Sequence, residues 1–495
     1  LEPTAHYSLG GEVAFLFYDA ASKKIKSVVG QGWAPQRATV DLYLARWGEI
    51  PSGVLSTTVP GVISALLAML SQYGTMSFTQ TAQAAVSFAH DGFPAYQLLS
   101  RAIGGAERMD NIKKYPDTAR IYLPDGQPPA LGSMFKQQDL GNTLSLMVRG
   151  EQQSLADGKS RESGIQAARD VFYKGDPAQR MVKALQDLGG LYTDDDFADY
   201  QSPDEEPIST TYRGYEIFTN RTWTQGVTLL QVLNILEGFP LSDLAHNGPE
   251  HLHVLATAMK LAHGDRDRYL GDPDYVDVPI DELFVSKDHA AELQRKIRST
   301  EEIGTKSPAK AGSETTHLAV VDEYGNVATI THTLGTASGV VTPGLGFLYN
   351  NSMKLFDPVP GNANSIAAGK ARTTGMSPTT VFKDNRPVLV VGAPGGSVIM
   401  SAVLQSISNV IDFGMTATEA VSAPRIHTEG GAVYIEARVR EDICDQLRKR
   451  DHLVEHVVDS YSPTFSKAQM IRLLSDGRLD GASDPRGGGG VAYAV

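Results

Sequence analysis

The sequence predicts a layered α+β or α/β fold, in which β-sheets are sandwiched between helices. Strand-like and helix-like stretches alternate along the 495 residues, and 41% of the residues are hydrophobic, which is ample for a buried core. A hairpin pattern follows a polar linker near residue 314, and a later strand pattern leads through a glycine-rich turn into a helix. A chain of this length fits several domains or one large layered domain.

The first half of the chain predicts one strand followed by several helices. Residues 13–18 form an uninterrupted apolar run, which is typical of a buried strand. Apolar residues three and four positions apart predict helices at 65–72, 78–89, 181–188, 228–236 and 251–269. Gly189 and Gly190 fit a C-terminal cap for the third of these helices, and Thr193 with Asp196 fits a capping box that begins the next short helix.

A linker and a hairpin mark the middle of the chain. Residues 286–314 start with a helical pattern and end polar, with Pro308 inside, which is typical of an exposed linker. A strand at 315–322, a turn at 323–326 and a return strand at 327–334 follow directly, and together they predict an antiparallel hairpin.

A strand, a turn and a helix follow one another in the last third of the chain. The apolar run 388–391 predicts a buried strand, GAPGG at 392–396 predicts a turn, and a helix is expected at 397–411. Thr416 with Glu419 forms a second capping-box pattern, which predicts the start of a further helix.

Net charge and cysteine content exclude several classes of function. The formal net charge is −13, which argues against a nucleic-acid partner because phosphate binding needs a basic surface. Cys444 is the single cysteine of the sequence, so an internal disulfide and a four-cysteine zinc site are excluded.

No segment predicts a membrane span or a signal peptide. The longest apolar stretch near the start, residues 59–70, is interrupted by Pro60, Gly61 and Ser64 and falls short of the roughly 20 residues that a spanning helix needs. No basic segment precedes an apolar one and Leu1 is not a start methionine, so we expect a trimmed or processed chain. We expect a soluble protein, and the sequence does not decide between a cytoplasmic and a periplasmic location.

Common catalytic and metal-binding motifs are missing from the sequence. It contains no G-x-S-x-G nucleophile elbow, no H-E-x-x-H metal motif and no phosphate-binding loop. One stretch is rich in potential metal ligands, namely His251, His253, His263, Asp265, Asp267 and Asp272. A metal-dependent hydrolase built on this stretch is one hypothesis, and a solvated helical face followed by a turn is the plainer one. We expect no metal and no cofactor.

The junction of linker and hairpin, Glu314 and Thr315, fits a specific chemistry. A threonine hydroxyl that opens a strand can attack the preceding carbonyl and convert the amide into an ester, which water then opens. The new N-terminal threonine would carry a nucleophile and an α-amine with an unperturbed pKa of about 8, which can act as a base near neutral pH. Taken alone, two threonines here are more simply explained as ordinary β-branched strand residues.

Short segments spread over nearly the whole chain change this balance, because they match one known enzyme family in the same order. In the second half they are TTHLAVVDEYGNVATITHTL (315–334), SGVVTPGLGFLYNN (338–351), MSPT (376–379), GAPGGS (392–397), DFGM (412–415), APR (423–425) and GASDPR (481–486). In the first half they are LGG (9–11), YGTMSF (73–78), FYKG (172–175), YRGY (212–215) and YLGDPD (269–274). On these segments the sequence resembles the γ-glutamyltranspeptidase family of N-terminal-nucleophile hydrolases.

This resemblance implies an α+β fold of four layers, an αββα sandwich, that is made as one precursor and cuts itself before Thr315. Residues 1–314 would become the large subunit and residues 315–495 the small subunit, and the two would stay together as one folded unit. Members of the family carry a helical stretch before the segment that matches 9–11. This chain starts without that stretch, which we interpret as a truncation.

The resemblance also implies roles for four residues of the catalytic machinery. Thr315 matches the nucleophile, and Thr333 matches a second threonine that hydrogen-bonds the nucleophile and orients it. Gly395 and Gly396 match the pair whose backbone N–H groups form the oxyanion hole. The last role has independent physical support, because glycines at the N-terminal end of a helix present unblocked N–H groups to a developing negative charge.

The acyl-binding pocket is where the chain departs from the family pattern. The residues that hold the substrate α-carboxylate, an arginine and two serines, match Gln31, Thr374 and Gly375. The asparagine, glutamine and aspartate that hold the α-amine match Gly335, Ser352 and Leu355. Gly335 is expected to leave open the space of the asparagine side chain, and a buried ammonium without a carboxylate would cost several kcal/mol. We therefore predict an acyl group other than γ-glutamyl.

We predict a self-cleaving threonine amidohydrolase or acyltransferase that acts on a small-molecule amide or a peptide. One alternative is an ordinary γ-glutamyltransferase or glutathione hydrolase. A second alternative is an uncleaved, non-catalytic homologue that acts as a binding protein. Besides the substrate, the partners implied are the chain's own two subunits, and a homo-oligomer is compatible with the sequence.

Overall fold

The computed structural model describes residues 8–299 and 314–493. These residues fold into two compact units, each assembled from separate segments of the chain. The described residues of the first unit are 8–13, 28–204 and 332–372, and those of the second are 14–27, 205–299, 314–331 and 373–493. Both units thus include residues from either side of position 314. The predicted division into 1–314 and 315–495 concerns a cut in the chain and not its packing, and it stays a prediction.

Ten α-helices lie among the described residues of the first unit. They are α1 (Val40–Trp47), α2 (Val62–Tyr73), α3 (Phe78–Asp91), α4 (Gln97–Gly104), α5 (Ala106–Lys113), α6 (Pro116–Tyr122), α7 (Gln138–Ala156), α8 (Arg161–Lys174), α9 (Asp176–Asp187) and α10 (Asp194–Ala198). The apolar faces of α2, α3, α7 and α8 pack against one another around Met147, Phe172 and Tyr173, which are fully buried. The predicted helices at 65–72, 78–89 and 181–188 are confirmed as α2, α3 and α9.

Local capping signals of the first unit are confirmed as well. The backbone N–H of Thr193 donates to Asp196 Oδ2 over 2.6 Å, and the hydroxyl of Thr193 donates to the same oxygen over 3.0 Å. Helix α9 is followed by a turn in which the N–H of Gly190 donates to the carbonyl of Leu185 over 2.8 Å. These bonds satisfy polar groups that a helix end would otherwise leave unpaired.

The helices of the second unit carry its largest core. They are α11 (Gly226–Leu236), α12 (Pro249–Tyr269), α13 (Lys287–Arg298), α14 (Ile399–Ile411), α15 (Ala417–Ser422) and α16 (Glu441–Arg448). Every residue of α11 is buried. The helical start of the predicted linker is confirmed as α13, and its polar part at 300–313 lies outside the described residues. The capping box that begins α15 is confirmed, with Glu419 accepting from the N–H of Thr416 over 2.9 Å.

The strands form two large sheets and two small ones. In chain order they are β1 (Glu12–Asp19), β2 (Lys24–Gly30), β3 (Phe93–Pro94), β4 (Met134–Phe135), β5 (Asp204–Glu205), β6 (Ile208–Tyr212), β7 (Tyr215–Thr219), β8 (Glu314–Val321), β9 (Val327–Gly335), β10 (Thr379–Lys383), β11 (Arg386–Gly392), β12 (Ile426–His427), β13 (Val433–Glu436), β14 (Val454–Val457), β15 (Gln469–Leu473) and β16 (Leu479–Ser483). The sheet orders are β5-β2-β1-β9-β8, β16-β15-β11-β10-β7-β6, β12-β13-β14 and β3-β4. The predicted hairpin is confirmed as β8 and β9, and the predicted strands at 13–18 and 388–391 as β1 and β11.

Within the second unit, two sheets stack and helices cover one of them. Strand β8 packs against β11 and β15 of the antiparallel six-stranded sheet. Tyr18, Val327, Phe382 and Val390 are buried together between the sheets, and the rings of Tyr18 and Phe382 meet edge to face at 5.1 Å. Helices α11, α14 and α15 pack on strands of the six-stranded sheet. This packing sets the start of β8 close to the end of β11.

Shorter helical turns connect these elements. The 3₁₀ turns are Gly53–Ser56, Pro124–Gly126, Leu241–Asp243, Ser352–Leu355 and Gly396–Val398, and Ile280–Phe284 is a π turn. The helix expected at 397–411 is α14 from Ile399 onward, and its predicted first residues lie in the 3₁₀ turn Gly396–Val398. None of the helices in the described part of the chain combines the length and the apolarity that crossing a bilayer requires.

Candidate active site

Thr315 is the second residue of β8 and is 4% exposed. Side chains of a strand alternate between its two faces, so Thr315 and His317 lie on the buried face. Leu318 and Val320, by contrast, are largely exposed. The nucleophile predicted from the sequence thus lies inside the second unit, at the start of a strand.

His317, on β8, is hydrogen-bonded to β9 and packs against the end of β11. Its Nδ1 lies 2.9 Å from Thr331 Oγ1 and its Nε2 lies 3.3 Å from Thr329 Oγ1. Burial lowers the pKa of His317 to about 3, so the ring is neutral at neutral pH. A methyl group on Gly392 would overlap the His317 ring, so the strand can approach this closely only because residue 392 is glycine.

The glycine turn after β11 has a backbone conformation that favours glycine. Gly395 has a φ of 145° and Gly396 a φ of 70°, values that residues with a side chain rarely adopt. Gly396 opens the 3₁₀ turn that leads into α14, so the N–H groups here lie at the positive end of a helix. The geometry suits the binding of a negatively charged oxygen.

Thr374 and Gly375 lie directly against this turn. A methyl group on Gly375 would overlap the carbonyl oxygen of Gly396. Thr374 is fixed by its backbone, since its N–H donates to Trp223 over 2.7 Å and its carbonyl accepts from Gln225 over 2.9 Å. The structure thus brings Thr374 and Gly375, which the sequence assigns to substrate binding, to the glycines assigned to the oxyanion hole.

The other predicted site residues belong to the first unit. Gln31 is 2% exposed, and neither its side-chain nitrogen nor its side-chain oxygen has a hydrogen-bond partner among the described residues. Its backbone carbonyl is held by the hydroxyl of Tyr200 at 2.8 Å. An unpaired buried amide costs free energy, so the side chain of Gln31 calls for a partner from outside the described residues.

Thr333 and Gly335 lie at the end of β9. The Thr333 hydroxyl accepts the N–H of Gly335 over 2.9 Å, and Thr333 is buried. Gly335 has a φ of 68°. The expectation of open space at Gly335 is wrong, because a methyl group there would overlap Oδ1 of Asn351, whose carboxamide also accepts from the N–H of Thr336 over 2.9 Å.

Ser352 belongs to a buried ionic group that the sequence analysis missed. Its hydroxyl accepts from Arg372 Nη2 over 3.3 Å, and Arg372 forms an ion pair with Glu12. Glu12 also accepts from the N–H of Gly32 over 3.1 Å and from the hydroxyl of Thr58 over 3.2 Å. Leu355, at the end of the same 3₁₀ turn as Ser352, is 41% exposed. That these residues act together with Thr315 stays a prediction.

Three of the predicted metal ligands between 251 and 272 form hydrogen bonds with separate groups and do not face a common point. His251 Nδ1 accepts the N–H of Asn247 over 3.0 Å, His253 Nδ1 lies 2.9 Å from His452 Nε2, and Asp265 lies 2.8 Å from His289 Nε2. In the described part of the chain, no three ligand atoms of the 251–272 stretch lie close enough to hold one metal ion. Among the described residues, Glu441, Cys444 and His456 are the one trio of this kind. The Glu441 carboxylate of that trio is already paired with Arg448 at 2.6 Å and with His456 Nδ1 at 2.6 Å.

Comparison with known proteins gives one consistent result. Residues 2–494 match the family model described as gamma-glutamyltranspeptidase. A glutathione hydrolase proenzyme of Bacillus subtilis strain 168 is 33% identical over 477 residues, covering 90% of this chain and 77% of that protein. An acylase proenzyme, ACY 1, of Pseudomonas sp. strain V22 is 33% identical over 468 residues, covering 91% of this chain and 79% of that protein.

A solved structure extends the likeness to the fold. The crystal structure of a cephalosporin acylase from Bacillus halodurans superposes with a TM-score of 0.86 at 28% identity, covering 98% of this chain and 88% of that one. The predicted fold class, an α+β four-layer sandwich of the N-terminal-nucleophile hydrolase type, is confirmed.

Proposed function

The chain belongs to the γ-glutamyltranspeptidase family, and on that premise we propose that it is a self-cleaving threonine amidohydrolase or acyltransferase with Thr315 as nucleophile. Its curated relatives are glutathione hydrolases and acylases named as proenzymes. One observation carries the proposal. The ring of His317, two residues after Thr315, packs on Gly392, which opens the turn that contains Gly395 and Gly396.

In the proposed maturation, the Thr315 hydroxyl attacks the carbonyl carbon of Glu314. The bond between that carbon and the Thr315 nitrogen breaks as the Thr315 oxygen takes its place, so the amide becomes an ester and the nitrogen leaves as an amine. Water then hydrolyses the ester, which leaves a carboxylate on Glu314 and restores the Thr315 hydroxyl. The products are the chains 1–314 and 315–495.

In the proposed catalytic cycle, the Thr315 hydroxyl attacks the amide carbonyl of the substrate while the free α-amine of Thr315 accepts the proton. The negative oxygen of the tetrahedral intermediate is bound by the N–H groups of Gly395 and Gly396. The proton passes to the leaving amine, and the acyl group remains on Thr315 as an ester. Water or a second amine attacks this ester and releases the acyl group. Thr333 is the proposed orienting partner of the nucleophile.

The proposed acyl pocket differs from one built for a free amino-acid head group. Gln31 offers a neutral carboxamide with two unpaired polar atoms, which can hydrogen-bond a carboxylate or an amide but cannot neutralise a charge. Arg372 is already paired with Glu12. Leu355 offers no polar group to an ammonium. We infer that the preferred donor is a dicarboxylic acyl amide without an α-amine, such as a glutaryl amide.

Two alternatives stand beside this proposal. The relatives named glutathione hydrolase favour an ordinary γ-glutamyl donor. An uncleaved binding protein is the second alternative, and the relatives named as proenzymes argue against it.

Intact mass spectrometry tests the proposal and both alternatives together. Freshly purified protein should separate into 1–314 and 315–495 under denaturing conditions, and brief incubation with a glutaryl amide should add one glutaryl mass to the smaller chain. Addition of a γ-glutamyl mass alone would favour the glutathione hydrolase alternative. A single chain without any adduct would favour the binding protein.

A further inference from the structure

We propose that Ser466, held by a buried group of four charged residues, fixes the direction of the Gly395 N–H and so positions one donor of the oxyanion hole. The inference rests on the proposed role of Gly395 in catalysis. The sequence segments 423–425 and 481–486, which matched the family but received no role, supply three of the four charges.

The Ser466 hydroxyl anchors the peptide group in front of Gly395. Ser466 is 1% exposed, and its hydroxyl donates to the carbonyl oxygen of Pro394. The backbone N–H of Lys467 donates to the same oxygen over 3.3 Å. A methyl group on Gly395 would lie 2.9 Å from Ser466 Oγ, so the two residues are in close contact. The Pro394 carbonyl is therefore held from the side of the Ser466–Lys467 segment.

Because the peptide bond is planar, fixing the Pro394 carbonyl also fixes the direction of the Gly395 N–H. In a trans peptide the C=O of one residue and the N–H of the next point in opposite directions. The Pro394 carbonyl points to Ser466, and the Gly395 N–H accordingly points away from Ser466. Gly395, without a side chain, can rotate this peptide plane at little cost, and a rotated plane would turn the N–H out of the oxyanion hole.

Buried ion pairs hold Ser466 itself in place. Arg425 donates to the carbonyl oxygen of Ser466 and forms an ion pair with Asp484 at 2.7 Å. Asp484 also accepts the N–H of Ala468 over 3.0 Å, so both sides of the 466–468 segment are tied to the same carboxylate–guanidinium pair. The segment cannot move without breaking a charged hydrogen bond in a site from which water is excluded.

The group is completed by a second pair. Arg486 bonds Asp484 at 2.9 Å and Glu436 at 2.5 Å, and the side chains of Arg425, Asp484, Arg486 and Glu436 are each at most 2% exposed. Within these four the charges balance, which makes their burial tolerable, and the partly exposed Arg438 also pairs with Glu436 at 3.0 Å. Loss of one of the four would leave an uncompensated buried charge, so they form a rigid support. Ser466 is uncharged and lies outside the four, so it can be altered without removing a charge.

The test compares Ser466→Ala with Ser466→Thr, which keeps a hydroxyl. The matched control is Ser56→Ala, because Ser56 is equally buried and its hydroxyl donates to the carbonyl of Gly53 over 2.6 Å, yet it has no part in the proposed site. Amide hydrolysis is measured on each protein and normalised to the cleaved fraction found by intact mass. The melting temperature of each variant is recorded alongside.

We expect Ser466→Ala to lower kcat by tenfold to a hundredfold with KM changed less than twofold, because removing one oxyanion donor outright costs about a hundredfold to a thousandfold. Ser466→Thr should stay within threefold of the parent, and both alanine variants should lower the melting temperature to a similar extent. A Ser466→Ala protein with the kcat of Ser56→Ala overturns the inference, as does a Ser466→Thr protein as slow as Ser466→Ala. If Thr315→Ala is fully active, the proposed function itself fails, whatever Ser466 does.

Discussion

The backbone around the glycine turn of the second unit and the side chain of Gln31 in the first unit differ in how their buried polar groups are paired, although Ser397 Oγ in the turn also lacks a partner among the described residues. At the turn, the carbonyls of Pro394 and Thr374 are both hydrogen-bonded, and the ring of His317 has a partner at each nitrogen. Gln31 is as deeply buried, yet both polar atoms of its side chain lack partners among the described residues. Under the proposed function, the hydrogen-bonded backbone of the turn together with His317, called the saturated region below, would hold a fixed geometry. The Gln31 side chain, called the unsaturated region, would be free to hydrogen-bond the substrate.

The most severe way to break this comparison is to remove the nucleophile. Thr315→Ala should remain a single chain and lose amide hydrolysis by at least about a thousandfold, because alanine has no hydroxyl to attack either carbonyl. Thr316→Ala, at the next position of the same strand, is the control and should be cleaved normally. Denaturing gels and N-terminal sequencing check the outcome. A small chain that begins anywhere other than Thr315 would sink the assignment.

The preference between two acyl donors tests which acyl group binds at the unsaturated region around Gln31. Each missing charged hydrogen bond is worth about 1.5–3 kcal/mol, so a γ-glutamyl donor, whose ammonium would find no carboxylate, should lose a hundredfold or more in kcat/KM relative to a pocket with the full set. We expect glutaryl p-nitroanilide to be preferred over γ-glutamyl p-nitroanilide by at least tenfold on the same mature preparation. A tenfold preference in the other direction would replace our proposal with the ordinary glutathione hydrolase.

A positive charge at position 31 should strengthen binding of donors that carry a carboxylate. Gln31→Arg should raise kcat/KM for a carboxylate-bearing donor by about tenfold, because an arginine binds a carboxylate with two charged hydrogen bonds. Gln31→Leu, similar in size but without polar atoms, should lower it, and Leu355→Asp should selectively help donors that carry an ammonium. Equal activity of Gln31→Leu and the parent would show that the carboxamide does not meet the substrate.

Acid should destabilise the saturated region through its neutral histidine. The pKa of His317 is lowered to about 3 in the folded protein against a usual value of 6.5, so the unfolded chain binds more protons between these limits. The free energy of unfolding should therefore fall as the pH drops from 6.5 towards 3. In the uncleaved Thr315→Ala chain, adding His317→Gln should flatten this dependence by about 1.4 kcal/mol per pH unit in urea titrations. An unchanged slope would contradict the burial of a neutral ring.

Chelation should have the smallest effect. The proposed chemistry uses a hydroxyl, an amine and backbone N–H groups, so hydrolysis should survive exhaustive treatment with a chelator within experimental error. The assay is repeated after addition of Zn²⁺ or Mn²⁺. A loss of activity that either ion restores would revive the metal hypothesis for the 251–272 stretch.

Periodic patterns and caps allowed much of the fold to be predicted, because they depend on neighbours in sequence. The hairpin β8–β9, the strand β11 and the capping boxes at Thr193 and Thr416 are examples. Helix α7 was not predicted, since it contains Gly141 and Gly150, which usually disfavour a helix interior. Gly141 is there because a methyl group would crowd the ring of His90, a contact that only the folded chain reveals.

The candidate site could be predicted from the sequence only where its residues belong to a recognisable motif. Thr315 and the glycine pair stand in recognisable segments, whereas the ion pair of Arg372 with Glu12 joins residues 360 positions apart and leaves no local signal. The bond between Arg425 and Asp484 likewise could not be foreseen from two short segments. Gly335 misled the prediction, because the space it was expected to leave is taken by Asn351.

The contact between Gly375 and the carbonyl of Gly396 also limits which residues position 375 can accept. Any side chain there would collide with the backbone of the turn that contains Gly395 and Gly396, and not with a movable side chain. Gly375 is therefore a packing requirement of this turn, and a substitution made at this position to alter the proposed acyl pocket would displace the turn first.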